Sequence, residues 1–183
     1  MNFKKIFLIF FSLSIFLNPY LFPQAEAADS YLLSQNRPVF ASSYKGSAEP
    51  SLAVDGDATT RWESQWGRDP QWIYVDLGAT ASITRVVVRW ENAYAKSFRI
   101  EVSNNEYEWT PIYTNSAFTG GTTDIQVSGT GRYVRLYCLE RTLPAYGVSV
   151  FEFEVYGTGG VNPPPRPPAP NVALNKPAVS SSE

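Results

Sequence analysis

The sequence predicts an all-β domain with antiparallel strands, arranged as a sandwich or jelly roll, in the central part of the chain. Three observations support this fold class. Apolar and polar residues alternate with a period of two through five segments, which is the pattern of half-buried strands. Turn-forming glycine, asparagine and aspartate residues separate these segments, and no window has the apolar periodicity of a helix.

The five alternating segments assign residues to the inner face of the sandwich. Their expected inward residues are, in chain order, Ile73, Val75 and Leu77; Val86, Val88 and Trp90; Phe98, Ile100 and Val102; Val134, Leu136 and Cys138; and Phe151, Phe153 and Val155. Trp62 and Trp109 are also assigned to the core. Turns are predicted at Asp55-Gly56, Gly78, Asn104-Asn105 and Gly120-Gly121, and from Gly129 to Gly131.

Residues 1–27 have the pattern of a secretory signal peptide. Lys4 and Lys5 precede a short apolar run that ends at Leu17, and a small-x-small triplet closes the segment at Ala27. The run is shorter than the roughly 20 apolar residues that span a bilayer, so we expect no membrane insertion, with an uncleaved N-terminal anchor as the alternative. The domain is therefore predicted to be secreted and extracellular, and to occupy residues 28–157.

The composition changes abruptly after the last predicted strand. Residues 158–170 are rich in glycine and proline, which predicts a linker in an extended, semi-rigid polyproline conformation rather than a ligand for other domains. Residues 171–183 contain an Asn-Lys-Pro motif and a pair of serines that echo residues 36–43. They predict the start of a truncated second repeat, and so a monomeric module that is covalently linked to further domains.

The composition excludes several kinds of site. The 183 residues include no histidine and one cysteine, so neither a Ser-His-Asp triad nor a histidine-ligated zinc site can form within the chain. The net charge of -2 becomes -3 when Lys4, Lys5 and Glu26 are removed with the signal peptide. This acidic balance disfavours nucleic-acid binding. Glycoside hydrolysis would need two paired carboxylates, and no pair is distinguished from ordinary solvated acids, so no enzymatic activity is predicted.

Several ordered motifs resemble the discoidin family, also called the coagulation factor 5/8 type C family. These motifs occupy residues 36–38, 42–43, 53–62, 72–78, 132–136 and 152–157, and the similarity covers about residues 31–157. The resemblance is greatest to carbohydrate-binding module family 32, which occurs beside bacterial glycoside hydrolase domains. It implies an eight-stranded jelly-roll sandwich of the galactose-binding type, in agreement with the strand alternation.

The family resemblance also implies a structural calcium ion. From the residues alone, Asp55-Gly56-Asp57 could be only a turn. Calcium takes six to eight oxygen ligands, and a glycine lets the chain wrap around the ion. The implied ligands are the side chains or carbonyls of Asp55, Asp57, Thr60 and Glu152, with the carbonyls of Leu52 and Phe151.

A second set of residues is implied to bind saccharide in loops at one end of the sandwich. An aromatic ring can pack on the C–H face of a sugar, while arginine and carboxylate groups bond its hydroxyls or amines. Trp66 lies in a polar loop and is expected to be exposed, whereas Arg61 could instead be a buried structural residue. The implied ligand-binding residues are Arg61, Trp66, Glu91 and Tyr146, with Tyr44 and Lys45 as further candidates.

The sequence therefore predicts a non-catalytic carbohydrate-binding module that tethers a secreted glucanase or chitosanase to its polysaccharide. Glu91 would suit a glucosamine amine, so chitosan ranks beside β- and α-glucans and ahead of galactosides. The alternative is a cell-surface adhesion module that binds glycan, lipid or protein. A hydrolase domain elsewhere in the protein would favour the first function, and a cell-wall anchor would favour the second.

Overall fold

The computed structural model describes residues 30–161, and the prediction of an all-β, eight-stranded fold is confirmed. The predicted signal peptide (1–27) and second repeat (171–183), with most of the predicted linker, lie outside the described residues. Every strand pairing in the sheet is antiparallel, in the order β1-β8-β4-β7-β5-β6, with β2 on β4 and β3 on β8. The strands are β1 (Tyr31–Leu32), β2 (Val39–Ala41), β3 (Trp62–Glu63), β4 (Gln71–Trp90), β5 (Ala95–Ser103), β6 (Thr110–Asn115), β7 (Thr122–Arg141) and β8 (Ser149–Gly159).

Helical structure in this part of the chain is limited to a short 3-10 helix at Pro50–Ala53. No helix among residues 30–161 is both long and apolar enough to cross a membrane. The last strand continues to Gly159, so Thr158 and Gly159 belong to β8 rather than to the linker predicted at 158–170, and they pair with Ser82 and Ala81.

The two longest strands bend at glycines where the sequence predicted turns. Gly78 lies inside β4 and Gly131 lies inside β7, and the register between these strands shifts between Asp76 and Ala81. Gly78 has a φ of 79°, a conformation that other residues adopt only with strain. A Cβ at Gly131 would lie 2.9 Å from the Ser103 carbonyl oxygen. The predicted turns at Gly78 and at 129–131 are therefore wrong, because these glycines bend continuous strands instead of ending them.

These bends let the sheet fold over a single apolar core. One cluster joins Ile73 and Leu136 from one half of the sheet to Val86 and Phe153 from the other half. Trp62 and Trp90 belong to this cluster, as predicted, with 0% and 6% of their surface exposed. The two halves of the bent sheet therefore form the two layers of the predicted sandwich.

Trp109 is not in the core, so its predicted position is wrong. Its ring packs on the outer face of the sheet against Tyr74, with ring centroids 5.5 Å apart. The guanidinium carbon of Arg135 lies 4.0 Å from the centroid of the Trp109 ring. Aromatic and arginine side chains thus cover this outer face of the sheet. The alternation of apolar and polar residues does not distinguish such a covered outer face from the inner, core-facing side.

A bulge in β8 changes another predicted core position. Glu152 pairs with Arg89 and Val150 pairs with Trp90, which leaves Phe151 as the extra residue between them. Val150 is fully buried, whereas Phe151 is only half-buried. Phe151 is therefore not the inward residue that the sequence predicted, because the extra residue of a bulge breaks the period of two.

The described chain leaves the domain at the bend of β4. Gly160 N donates a hydrogen bond to Thr80 O at 3.2 Å, and Val161 N donates to Leu77 O at 3.0 Å. The start of β8 lies at the opposite end of the sandwich, where Val150 pairs with Trp90, the last residue of β4.

We predict that Gly157→Ala destabilises the domain by about 3 kcal/mol, because overpacking a close contact carries a penalty of that order. A Cβ at Gly157 would overlap the carbonyl oxygen of Ser82 on the adjacent strand. Denaturant unfolding of the purified protein measures the change. Gly46→Ala is the control, since its Cβ would meet nothing within 4 Å and the change adds only the strain of a φ of 59°. An equal loss in both variants would contradict the close contact.

Candidate functional site

A cleft of about 290 Å³ lies among the loops at one end of the sandwich. Three of the predicted ligand-binding residues, Arg61, Glu91 and Tyr146, line it together. They come from segments far apart in sequence, because the ends of β3, β4 and β8 converge there. Its other lining residues are Glu63, Asn92, Ala93 and Leu143.

Trp66 extends the cleft with a half-exposed indole ring. The ring packs edge-on against Tyr146, with centroids 5.5 Å apart and an interplanar angle of 67°. The two side chains are 47% and 48% exposed, so both keep ring surface for a ligand. Lys45 Nζ lies 4.7 Å from the Trp66 ring centroid, which places Lys45 at the same site. Tyr44 is half-exposed in the adjoining loop and makes no ring contact with Trp66 or Tyr146.

Glu63 also lines the cleft, although the sequence did not place it in the binding set. Its side chain is almost buried. One carboxylate oxygen accepts a hydrogen bond from Trp66 Nε1 at 2.7 Å, and the other accepts one from Arg61 Nη2 at 3.4 Å. Glu63 therefore fixes the orientation of both Trp66 and Arg61. Its spacing of two residues from Arg61, which directly precedes β3, was the one available signal, since side chains two apart in extended chain lie on the same side.

Arg61 is exposed, so the alternative of a buried structural arginine is wrong. Glu91 uses one carboxylate oxygen to accept a hydrogen bond from Ala93 N at 2.8 Å. Its other oxygen has no donor among the described residues. The cleft thus offers a guanidinium and a carboxylate oxygen beside the two ring faces. Asn92 and Leu143 were not predicted, and no feature of the single sequence marks them.

The loop that carries Tyr146 is held in place by Arg141. Its Nη1 atom donates hydrogen bonds to the carbonyl oxygens of Pro144 at 3.0 Å and Tyr146 at 2.9 Å. Its Nε atom donates to Asp69 Oδ1 at 3.0 Å. A Cβ at Gly147 would overlap the carbonyl oxygen of Ser64, so this glycine lets the two loops meet. The cleft is therefore preformed by the fold, as is usual for ligand sites.

A second predicted site lies immediately before Arg61 in the chain. Thr60 Oγ1 lies 2.8 Å from Asp55 Oδ2, 3.0 Å from Asp57 O and 3.5 Å from Leu52 O. A hydroxyl carries only one hydrogen, so it cannot satisfy three acceptors at once. Such a concentration of oxygen atoms fits the ligand preference of calcium. Four of the six predicted calcium-ligating residues therefore place oxygen atoms close together around the Thr60 hydroxyl.

Glu152 adds a carboxylate beside this group. Its Oε1 atom is buried and has no hydrogen-bond partner. Burial, and after it the nearby Asp55 carboxylate, raises the pKa of Glu152 to about 7. Two carboxylates brought together in this way favour a bound cation, because like charges at close range are otherwise unfavourable.

Asp57 was predicted to bind the ion through its side chain or its carbonyl oxygen. Its carboxylate accepts hydrogen bonds from the backbone N and the hydroxyl of Thr59, at 2.9 and 2.6 Å, and these bonds lower its pKa. Its carbonyl oxygen, which faces Thr60, is the better ligand. Phe151 adjoins Glu152 at the bulge. Residues 30–161 contain no group of three or more acidic, histidine or cysteine side chains placed for a metal, so such a site would depend on carbonyl and hydroxyl oxygens.

One family model matches the central part of this chain. The model for the NedA-like, galactose-binding domain of the F5/F8 type C group matches residues 52–136. A family 32 module of NanJ from Clostridium perfringens, solved with galactose, has a TM-score of 0.62 at 19% identity, over 70% of this chain and 99% of that one, and shows the shared fold.

Two similar structures come from a chitosanase/glucanase of Paenibacillus sp. IK-5. Its chitosan-binding module 1 is 46% identical, with a TM-score of 0.66, over 69% of this chain and 99% of that one. Its chitosan-binding module 2, solved with chitotriose, is 43% identical, with a TM-score of 0.66, over 68% of this chain and 99% of that one. Both are binding modules rather than catalytic domains.

A longer relative is the polysaccharide lyase 8 family protein HylA of Enterococcus faecalis, which is 30% identical over 112 residues. The match covers 57% of this chain and only 8% of the length of HylA. The family model, the two Paenibacillus modules and the fold agree with each other and with the sequence motifs. The chain belongs to the F5/F8 type C-like family of galactose-binding domains.

Proposed function

We propose that the cleft is the polysaccharide-binding site of a non-catalytic carbohydrate-binding module. The observation that carries this proposal is the meeting of two half-exposed rings, Trp66 and Tyr146, with Arg61 and Glu91 at one end of the sandwich. Ring faces bind the apolar side of a pyranose, and the charged groups bond its polar substituents. Glu63 orients these groups, since its two oxygens accept hydrogen bonds from Trp66 and Arg61.

Chitosan is the favoured polysaccharide, with glucans next. The available oxygen of Glu91 can accept a hydrogen bond from the protonated amine of glucosamine, and such charge-assisted bonds are strong. Two relatives of 46% and 43% identity are chitosan-binding modules, and one of them was solved with chitotriose. This support raises chitosan above the equal rank that the sequence alone assigned to it.

We also propose a role for the module within the whole protein. The module holds an attached polysaccharide-degrading enzyme, of the chitosanase or glucanase class, near an insoluble substrate outside the cell. The relatives from Paenibacillus are modules of a chitosanase/glucanase. Repeated modules on one chain would raise the avidity for a polymer without any new contact.

We predict that Trp66→Ala lowers retention on insoluble chitosan about tenfold or more, because it removes a ring face and the packing partner of Tyr146. Pull-down of the purified protein on chitosan, β-1,3-glucan, α-1,3-glucan and cellulose measures retention. Trp109→Ala is the matched control, since it removes a partly exposed ring from the outer face of the sheet and should leave retention unchanged.

Retention that survives Trp66→Ala but is lost in Trp109→Ala would move the site to the outer face. Failure of the unchanged protein to bind any of the four polymers would contradict the polysaccharide function. It would favour the alternative of adhesion to a protein or cell surface.

We also propose that the group around Thr60 binds calcium as a structural ion. The supporting observations are the three acceptor oxygens around one hydroxyl and the unpartnered, buried Oε1 atom of Glu152. The ion would supply positive charge between the carboxylates of Asp55 and Glu152. Because Thr60 directly precedes Arg61, the ion would also restrict the backbone at the edge of the cleft.

We predict that calcium at about one hundred times its dissociation constant stabilises the protein by about 3 kcal/mol, which raises Tm by on the order of 5–10 °C. Thermal unfolding in calcium and in chelator measures the difference. Asp55→Asn should abolish it. Asp124→Asn should preserve it, because this carboxylate pairs with Arg85 at the surface, away from Thr60. Equal Tm values in calcium and chelator would contradict the calcium proposal.

A further inference from the structure

Lys45 places a positive charge directly over one of the two exposed rings of the cleft. Its Nζ atom lies 4.7 Å from the Trp66 ring centroid. The backbone around it is fixed, because Lys45 N donates to Glu63 O at 2.9 Å and Ala48 N donates to Lys45 O at 3.0 Å. These bonds fix the backbone of Lys45 next to the strand that precedes Trp66.

The remaining charges make the cleft electrically asymmetric. Arg61 and Glu63 lie 3.4 Å apart and offset each other. Lys45 makes no ion pair with any described residue, and neither does Glu91. The cleft therefore has a positive end at Trp66 and a negative end at Glu91. A bound chain of sugars would meet opposite charges at two of its residues.

We infer, on the basis of the proposed saccharide-binding function, that Lys45 determines which sugar can occupy the Trp66 end of the cleft. A protonated glucosamine there would place its ammonium group beside the lysine ammonium group. Like charges in a binding site suppress the wrong partner. A neutral sugar, with a hydroxyl or an N-acetyl group, meets no such repulsion. The favoured ligand is therefore a partly acetylated chitosan, with its free amine at Glu91 and a neutral residue at Trp66.

The charge of Lys45 can be separated from its bulk by substitution. Lys45→Gln keeps most of the length of the side chain and removes the charge, whereas Lys45→Arg keeps the charge. Lys96→Gln is the matched control, because Lys96 is an exposed lysine that pairs with Glu140 instead of an aromatic ring. Calorimetric titration with the glucosamine trimer and with its fully N-acetylated counterpart, at a pH where the free amines are protonated, compares the ligands.

We expect Lys45→Gln to bind the glucosamine trimer about threefold more tightly, which is the effect of removing one charge several ångströms away near a protein surface. Affinity for the acetylated trimer should stay unchanged, and the gain should shrink as salt is added. Lys96→Gln should bind the two trimers as the unchanged protein does, and Lys45→Arg, which keeps the charge, should show no gain in affinity for the glucosamine trimer.

Three results would overturn this inference. Equal changes for both trimers in Lys45→Gln would show that the lysine only covers the ring. Weaker binding of the glucosamine trimer by Lys45→Gln would show that the lysine contacts the ligand favourably. Failure of the unchanged protein to bind either trimer or any polymer would remove the proposed function itself, and the role of Lys45 with it.

Discussion

The cleft depends on one buried indole. Trp62 has no exposed surface, and an indole N–H withdrawn from water needs an acceptor. It donates a hydrogen bond to Ser43 O at 3.0 Å, which joins the chain after β2 to β3. The Ser43 hydroxyl then accepts a hydrogen bond from Gln65 N at 3.0 Å. The segments that carry Lys45 and Trp66 are therefore positioned from the core outward, and the ligand site is supported by the same packing that stabilises the fold.

The strand faces could be predicted from the sequence, because the side chains of a strand point alternately to its two sides. Three kinds of feature fall outside that rule. A glycine such as Gly78 can bend a strand as well as end it, and only the pairing of β4 with β7 separates the two cases. The bulge at Phe151 inserts one residue without any local signal. Trp109 packs against Arg135 on the outer face, where an aromatic residue is covered without being in the core.

The residues of the cleft could also be predicted only in part, because some of them are recognised only from their contacts. Family motifs indicated Arg61, Glu91 and Tyr146, and the structure brings these residues into one cleft. Glu63 was missed because its importance comes from hydrogen bonds to Trp66 and Arg61. Contacts of this kind depend on how loops meet in space, which a single sequence does not record.

The course of β8 separates the ligand from the point of attachment. This strand begins beside Glu63 at the cleft and ends at Gly159, where the described chain leaves near the bend of β4. Eleven residues of extended strand cover about 30 Å. The described chain therefore leaves the sandwich at the end far from the cleft. A domain attached at that end would begin about one module length away from the surface of the bound polysaccharide.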